Sequence, residues 1–369
     1  MKNMNKYLSK NYSLLGKETQ KQDTFTKVLK TVFFNPIYHY IFFGIICCIV
    51  TYLALNKVIP EIIPYSLQSS LAISFSFAIA AIGFCLLMGY SGLASLGTGG
   101  FIGIGSYSVH YIMNEAELSL PVAILVALVV AAVIGVVVGF ISLRIEGIYL
   151  VILTLGLSEI LRNVYMVVED KIKIKNFVLF GSLIKKQHSL YIVSVVLVII
   201  MIVTHNIINS PTGRAMLAMK NSTAAAQAMG ISLIKYRLLA FVICTMYASL
   251  SGVMIMITIR SIQASNGSGY YALITSLNIL AAVIIGGFKS IWGAVFGSFV
   301  MYGMQTAILQ DIDFFAENPE FITFISGALV IVVVMFFPGG LAQLLAELKL
   351  KIKKWYKKIK EGIYGKDLG

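Results

Sequence analysis

The chain has 369 residues, 58% of them hydrophobic and only 12% charged, with a formal net charge of +13. Soluble domains are about half apolar and about a quarter charged, so the composition excludes an ordinary soluble protein and indicates an integral membrane protein. Lys and Arg sit mostly at the two ends and in a few loops, the distribution that orients a polytopic chain in a bilayer, which excludes nucleic-acid binding as the source of the charge.

Residues 1–36 are polar and carry Lys2, Lys6, Lys10, Lys17, Lys21, Lys27 and Lys30. They are too long and polar for the start of a signal peptide and no small-residue cleavage site follows, so a basic cytoplasmic tail is expected. A first span is predicted over 38–59, with Pro60 and Pro64 turning the chain outside. An apolar run over 66–88 returns to the inside.

The next stretch, GYSGLASLGTGGFIGIGSYSVHYI over 89–112, has no charge and holds Gly89, Gly92, Gly97, Gly99, Gly100, Gly103 and Gly105. It has to stay at membrane depth, yet its first half is a poor continuous helix. Irregular backbone is tolerated there only where protein buries it or where it lines a cavity. Two readings stand side by side. One is close packing through small residues, for which Gly99 and Gly103 have the right spacing. The other is a broken helix lining a solute path. On that reading Ser91, Ser95, Thr98, Gly99, Ser106 and Tyr107 are the candidate path residues, because hydroxyls and exposed backbone pair the polar ends of a small solute without burying a full charge.

Glu115 and Glu117 suit an outer loop, and 121–143 is the next span, ending at Arg144 and Glu146. The run 147–168 contains Glu159 and Arg162, three residues apart on one helical face. An intramembrane charge pair is a functional signal by default, and an intrahelical ion pair near the outer interface is the structural alternative. The loop 169–189 falls outside in this layout although it carries Lys171, Lys173, Lys175, Lys185 and Lys186: either it is an external platform or one span is miscounted.

After a span over 191–208 comes SPTGRAMLAMKNSTAAAQAMGISLIKYR, residues 210–237, with Arg214, Lys220, Lys235 and Arg237 and no acidic residue. Those charges predict the cytoplasmic side. Pro211 and Gly213 are expected to break the preceding helix after Asn209, and Ser222 or Thr223 to cap a short helix that stops at Gly230. Such a segment is either an ordinary basic loop or a handle for a partner beneath the bundle. Spans over 238–259, 270–288, 291–309 and 321–337 follow, with a polar turn at 260–269, a tight turn in GGFKSIWG, and an outer loop bearing Asp311, Asp313, Glu317 and Glu320. From Pro338 on, PGGLAQLLAELKLKIKKWYKKIK reads as a basic amphipathic tail resting on anionic lipid.

The expected fold is therefore all-α and polytopic, with about ten transmembrane helices and both termini cytoplasmic. Its divisions are a tail over 1–36, a transmembrane domain over 37–338 that includes the loop 210–237, and a tail over 339–369. Cys47, Cys48, Cys85 and Cys244 lie in apolar runs, and His39, His110, His188 and His205 are scattered, a pattern without metal-site spacing. No nucleophile stands with a base and no phosphate-binding loop is present. The chain reads as a non-enzyme with no metal and no cofactor of its own.

Several stretches, in order, resemble one family. GYSGLASLGTGGFIGIGSY, GIYLVILTLGLSEILR, SPTGRAMLAMKNSTAAAQAMGISLIKYRLLAFVI, ILAAVIIGGFKSIWGAVFGS and FFPGGLAQLL are similar to the permeases of branched-chain amino-acid ABC transporters, of the high-affinity leucine, isoleucine and valine uptake type. The resemblance covers residues 66–345 or so. It implies a permease subunit in a bacterial inner membrane that moves solute by alternating access. Implied partners are a second permease subunit, identical or different, two cytoplasmic ATP-binding subunits that hold the ATP, and an extracytoplasmic solute-binding protein. It also implies that Arg214, Ala224, Ala225, Ala226 and Gly230 carry coupling to the ATPase. This chain has Thr223 and Gln227 where the family usually has acidic residues, and Thr98 and Ser106 where many relatives have His and Ala. Permeases for urea, a monosaccharide or a nucleoside are the alternatives within the class. A stand-alone secondary transporter or channel is the alternative outside it, and would need mid-membrane acids, for which Glu159 is the candidate.

Overall fold

The computed structural model describes residues 36–55, 65–114, 116–142, 147–172, 188–260, 270–304 and 319–336, with 339–341, 343 and 347 beyond. The tail before Pro36, the turn with Pro60 and Pro64, the span end at Arg144 and Glu146, most of the basic loop 169–189, the turn 261–269, the acidic loop 305–318 and everything after Glu347 lie outside them.

Every regular element among the described residues is a helix. In chain order they are α1 (Pro36–Leu55), α2 (Tyr65–Phe84), α3 (Thr98–Asn114), α4 (Leu120–Ser142), α5 (Ile148–Ile172) and α6 (Ser189–Asn209). Two short helices follow, α7 (Pro211–Asn221) and α8 (Thr223–Ala228), and then α9 (Leu233–Ile259), α10 (Leu273–Gly286), α11 (Ile291–Ser298) and α12 (Pro319–Phe336). Two of them run on into π-helical turns, α2 through Cys85–Ser91 and α11 through Phe299–Gly303. Each predicted span has a helix, but six of the described helices, α1, α2, α4, α5, α6 and α9, are long and apolar enough to cross a bilayer. Helices α10 and α11 with its π turn are shorter, and α3 has 17 residues.

Helices α2 and α9 form the centre, buried along most of their length, while α1, α4 and α5 stand at the periphery. The reason is legible in α4. Ala123, Ala127 and Ala131 repeat every fourth residue and are fully buried, whereas Leu125, Val129, Val133 and Val137 repeat at the same interval and are exposed. Four residues is just over one turn, so the small side chains face protein and the branched ones face lipid. Hydroxyls of α9 bind that small-residue face: Ser249 Oγ donates to Ala127 O at 3.2 Å and Thr245 Oγ1 to Ala131 O at 3.4 Å. Such bonds between membrane helices contribute about 0.6 kcal/mol each, so the tight fit matters more than any one of them.

The crossing of α3 and α9 is closer still. A Cβ on Gly105 would lie 1.8 Å from Ser249 O, and one on Gly252 would lie 1.9 Å from Ile102 O. Only glycine on both helices permits that approach, and Ser106 Oγ then reaches Gly252 O at 2.8 Å. On the other side of α2, Phe77 stacks on Tyr302 with ring centroids 3.8 Å apart. Helix α1 docks through Tyr40 and Phe43, both against Trp292 of α11.

Candidate functional site

The Gly-rich stretch is a broken helix. The π turn after α2 ends at Gly92, which takes φ +76°, a left-handed conformation that favours glycine. Residues 92–97 are irregular and α3 starts at Thr98. A helix start leaves N–H groups without partners, which at membrane depth cannot be left unpaired. Here other helices supply them. Leu96 N–H donates to Thr154 Oγ1 at 3.0 Å and Gly100 N–H to Ser158 Oγ at 3.0 Å, both on α5. Gly99 N–H donates to Ser276 Oγ of α10 at 2.8 Å, and Gly97 N–H to Ser95 Oγ at 3.3 Å. Close packing through small residues is present, at Gly103 against the Tyr165 ring and at Gly105 against Ser249 O, and the helix is broken over 92–97, where hydroxyls hold the backbone.

One face of α5 is devoted to this segment. Thr154, Ser158, Tyr165 and Glu169 recur at helical spacing, and each meets the broken segment or α3. Tyr165 OH donates to Gly100 O at 2.7 Å, and Tyr107 OH donates to the Glu169 carboxylate. The Tyr107 and Tyr165 rings stack at 4.5 Å, and Tyr271 closes on both at 5.6 and 6.2 Å.

Of the predicted path residues, Ser91, Ser95, Thr98, Gly99 and Ser106 are buried and Tyr107 is half-buried. Ser95, Thr98, Gly99, Ser106 and Tyr107 share the break and α3, while Ser91 sits at the end of the π turn, its hydroxyl buried with no hydrogen-bond partner among the described residues. Glu159 and Arg162 form an ion pair, Arg162 Nε to Glu159 Oε2 at 2.8 Å. The pair lies midway along α5. Its side chains are 34% and 22% exposed.

The polar end of the bundle is built from residues 209–232. Ser210 caps α7 by accepting from Gly213 N–H at 3.4 Å, with Pro211 at the first helical position where its missing donor costs nothing. Arg214 Nη1 donates back to Asn209 O at 3.0 Å, which ties the arginine to the α6–α7 corner. Met216 and Met219 bury α7 against the bundle. Ser222 then accepts from Ala225 N–H at 3.3 Å and so caps α8. Of α8 only Ala226 is buried, leaving Ala224, Ala225, Gln227 and Met229 exposed. Gly230 ends the helix at φ +77°, and Ile231 N–H bonds back to Ala226 O at 3.0 Å, a left-handed helix stop.

Sequence reasoning did not single out Thr154, Ser158, Tyr165, Ser276 or Lys220 for roles. For α5 a signal was present, since two hydroxyls four residues apart in an apolar span mark a face that pairs with another backbone. For Lys220 there was none, because its partners are main-chain carbonyls. Its Nζ donates to Met88 O at 3.0 Å and Gly89 O at 2.9 Å. Burial, and then the nearby Lys289 charge, push its pKa below the usual lysine value.

These features define a multi-pass, all-α membrane protein built around a broken helix, with a short exposed helix at one end. The family model described as branched-chain amino acid transport system, permease component, matches residues 66–334, and the chain belongs to that family. It is 25% identical over 308 residues to the high-affinity branched-chain amino acid transport system permease protein LivM of Salmonella typhimurium, covering 74% of this chain and 70% of that protein. The LivM of Escherichia coli strain K12 is 25% identical over 312 residues, with the same coverage. Both relatives are transport permeases, not enzymes. No solved structure matches.

Proposed function

We propose that the chain is the membrane-spanning permease subunit of an ATP-driven importer for branched-chain amino acids, in the bacterial inner membrane with both termini cytoplasmic. The observation that carries the coupling half of this reading is α8: a capped helix whose outer surface is small alanines and an exposed Met229, standing off the bundle on a basic segment. Alanine lets another backbone approach closely, and an exposed Met beside it is an adaptable anchor. Two separate ATP-binding subunits would seat this surface and hold the ATP, so the chain needs no cofactor of its own. Their closure would push on Ala224, Ala225, Ala226 and Gly230, with Arg214 fixing the corner behind them, and the helices would rock between outward- and inward-facing states.

The solute half rests on the relatives' names and on the chemistry of the break. Ser91, Ser95, Thr98, Gly99, Ser106 and Tyr107 offer hydroxyls and backbone in a segment without charge, which suits a zwitterion whose ends are paired by dipoles. The Glu159–Arg162 pair supports a second permease subunit, because a partly exposed ion pair in a span is costly against lipid and tolerable against protein or a wet cavity. An extracytoplasmic solute-binding protein completes the proposed assembly.

The test is uptake of labelled leucine, isoleucine, valine, a pentose, a nucleoside and urea by cells with and without the chain, with co-purification of ATP-binding subunits. Loss of the three branched-chain amino acids alone, with an ATPase on the purified chain, is expected. Loss of another solute overturns the substrate, and uptake that needs no ATPase overturns the mechanism.

A further inference from the structure

The exposed helix α8 and the break at 92–97 need a mechanical connection if one is to move the other, and Lys220 of α7 makes hydrogen bonds to the turn that leads into the break. Lys220 lies in the last turn of α7, two residues before Ser222, the residue that ends α7 and caps α8. Its ammonium reaches across to Met88 O and Gly89 O, at 3.0 and 2.9 Å. Those carbonyls belong to the π turn from which the broken segment departs. Its stem lies along the departure point itself, since a Cβ on Gly92 would sit 3.2 Å from Lys220 Cγ.

The chemistry fits a latch. Carbonyls in the last turn of a helix lack intrahelical donors and carry the negative end of the helix dipole. A lysine ammonium satisfies two of them at once with charge-assisted bonds, which are about twice as strong as neutral ones. A π turn is a wide turn, recurrent at functional sites, and its hydrogen-bond register is the element whose setting such a bond can bias. The same turn is also bound by the loop between α10 and α11: Cys85 Sγ donates to Phe288 O at 2.9 Å, and Tyr90 OH to Lys289 O at 3.3 Å. The turn is therefore held both by that hairpin and by a lysine carried by the polar helix pair.

We propose that Lys220 is the transmission residue of this permease: it carries displacement of α7 and α8 to the π turn Cys85–Ser91 and so to the break at 92–97. The inference rests on the reading of α8 as the surface that takes an ATPase. It adds the residue through which that surface acts on the path. Lys220 is a positioning residue and touches no solute.

The experiment uses the full chain with its ATP-binding subunits in lipid vesicles. A cysteine at position 94 (Ala94→Cys) reports the break through its rate of labelling by a maleimide, measured with and without a non-hydrolysable ATP analogue against the same chain lacking that cysteine. With Lys220 present the nucleotide is expected to change the labelling rate by about tenfold, the size of one charge-assisted hydrogen bond made or lost. Lys220→Arg should keep the change. Lys220→Met and Lys220→Gln should abolish it while the ATP-binding subunits stay bound, which separates transmission from folding and from docking. A full nucleotide response in either neutral variant overturns the inference and leaves the function standing. If no ATP-binding subunit binds the unsubstituted chain, the proposed function fails at that earlier step and the latch fails with it.

Discussion

Gly230 separates backbone strain from partner docking. Its φ of +77° is left-handed, and a Cβ placed on it would have no atom of the described residues within 4 Å. A Cβ there meets no wall among the described residues, so the internal cost of substitution is conformational: about 1–2 kcal/mol for an ordinary L-residue. Asparagine enters this conformation several-fold more readily than most residues and largely escapes that cost. Three variants then order differently under two hypotheses. If Gly230 only shapes a loop, Gly230→Asn behaves like the parent, and Gly230→Ala and Gly230→Trp share one modest defect, about fivefold per kcal/mol. If an ATPase seats this corner, loss follows bulk. Beyond that conformational cost, Ala then loses least, Asn falls below the parent, and Trp loses about 2 kcal/mol or more of docking, about thirtyfold. The assays are the amount of ATP-binding subunit retained on the purified chain and solute-stimulated ATP hydrolysis, with the thermal midpoint expected to fall modestly and equally in Ala and Trp and to stay near the parent's in Asn. An Asn variant indistinguishable from the parent, beside equal defects in Ala and Trp, would refute docking at this corner.

Two further substitutions test the bundle. Ser276→Ala removes the acceptor of the Gly99 N–H bond at 2.8 Å and leaves a buried donor unpaired, so a loss of about 1–3 kcal/mol is expected; a thermal midpoint equal to the parent's would show that the start of α3 finds another partner. Gly252→Ala puts a methyl 1.9 Å from Ile102 O, backbone that cannot rotate away. The helices must separate, at a cost of about 1–3 kcal/mol or more, and the thermal midpoint of the purified chain should fall, whereas an unchanged value would mean that α3 and α9 do not cross so closely.

The break at 92–97 and the exposed α8 are separate features of one bundle: α5 holds the break through its hydroxyls, and α7 reaches the turn before it through Lys220. Helix α5 spends one face on hydroxyl and aromatic contacts to the broken segment.

Much of this was determined by the sequence alone. Membrane character follows from composition, because a span needs only a run of apolar residues whose backbone bonds close within the helix. The break follows from glycine density, which is local conformational entropy. The end of α6 at Asn209, the cap at Ser222 and the stop at Gly230 follow from Pro, Ser and Gly chemistry within a few residues of each boundary, and the structure has them there. What only the tertiary structure decided is what holds the break. The hydroxyl that takes the Leu96 N–H is 58 residues away, the one that takes the Gly99 N–H is 177 away, and the lysine on Gly89 O is 131 away. No local propensity encodes such pairs, since serine, threonine and lysine accept or donate to any backbone that packing brings to them. The α3–α9 crossing is of the same kind: two glycines read separately as flexibility become, once the helices meet, the reason that they can touch.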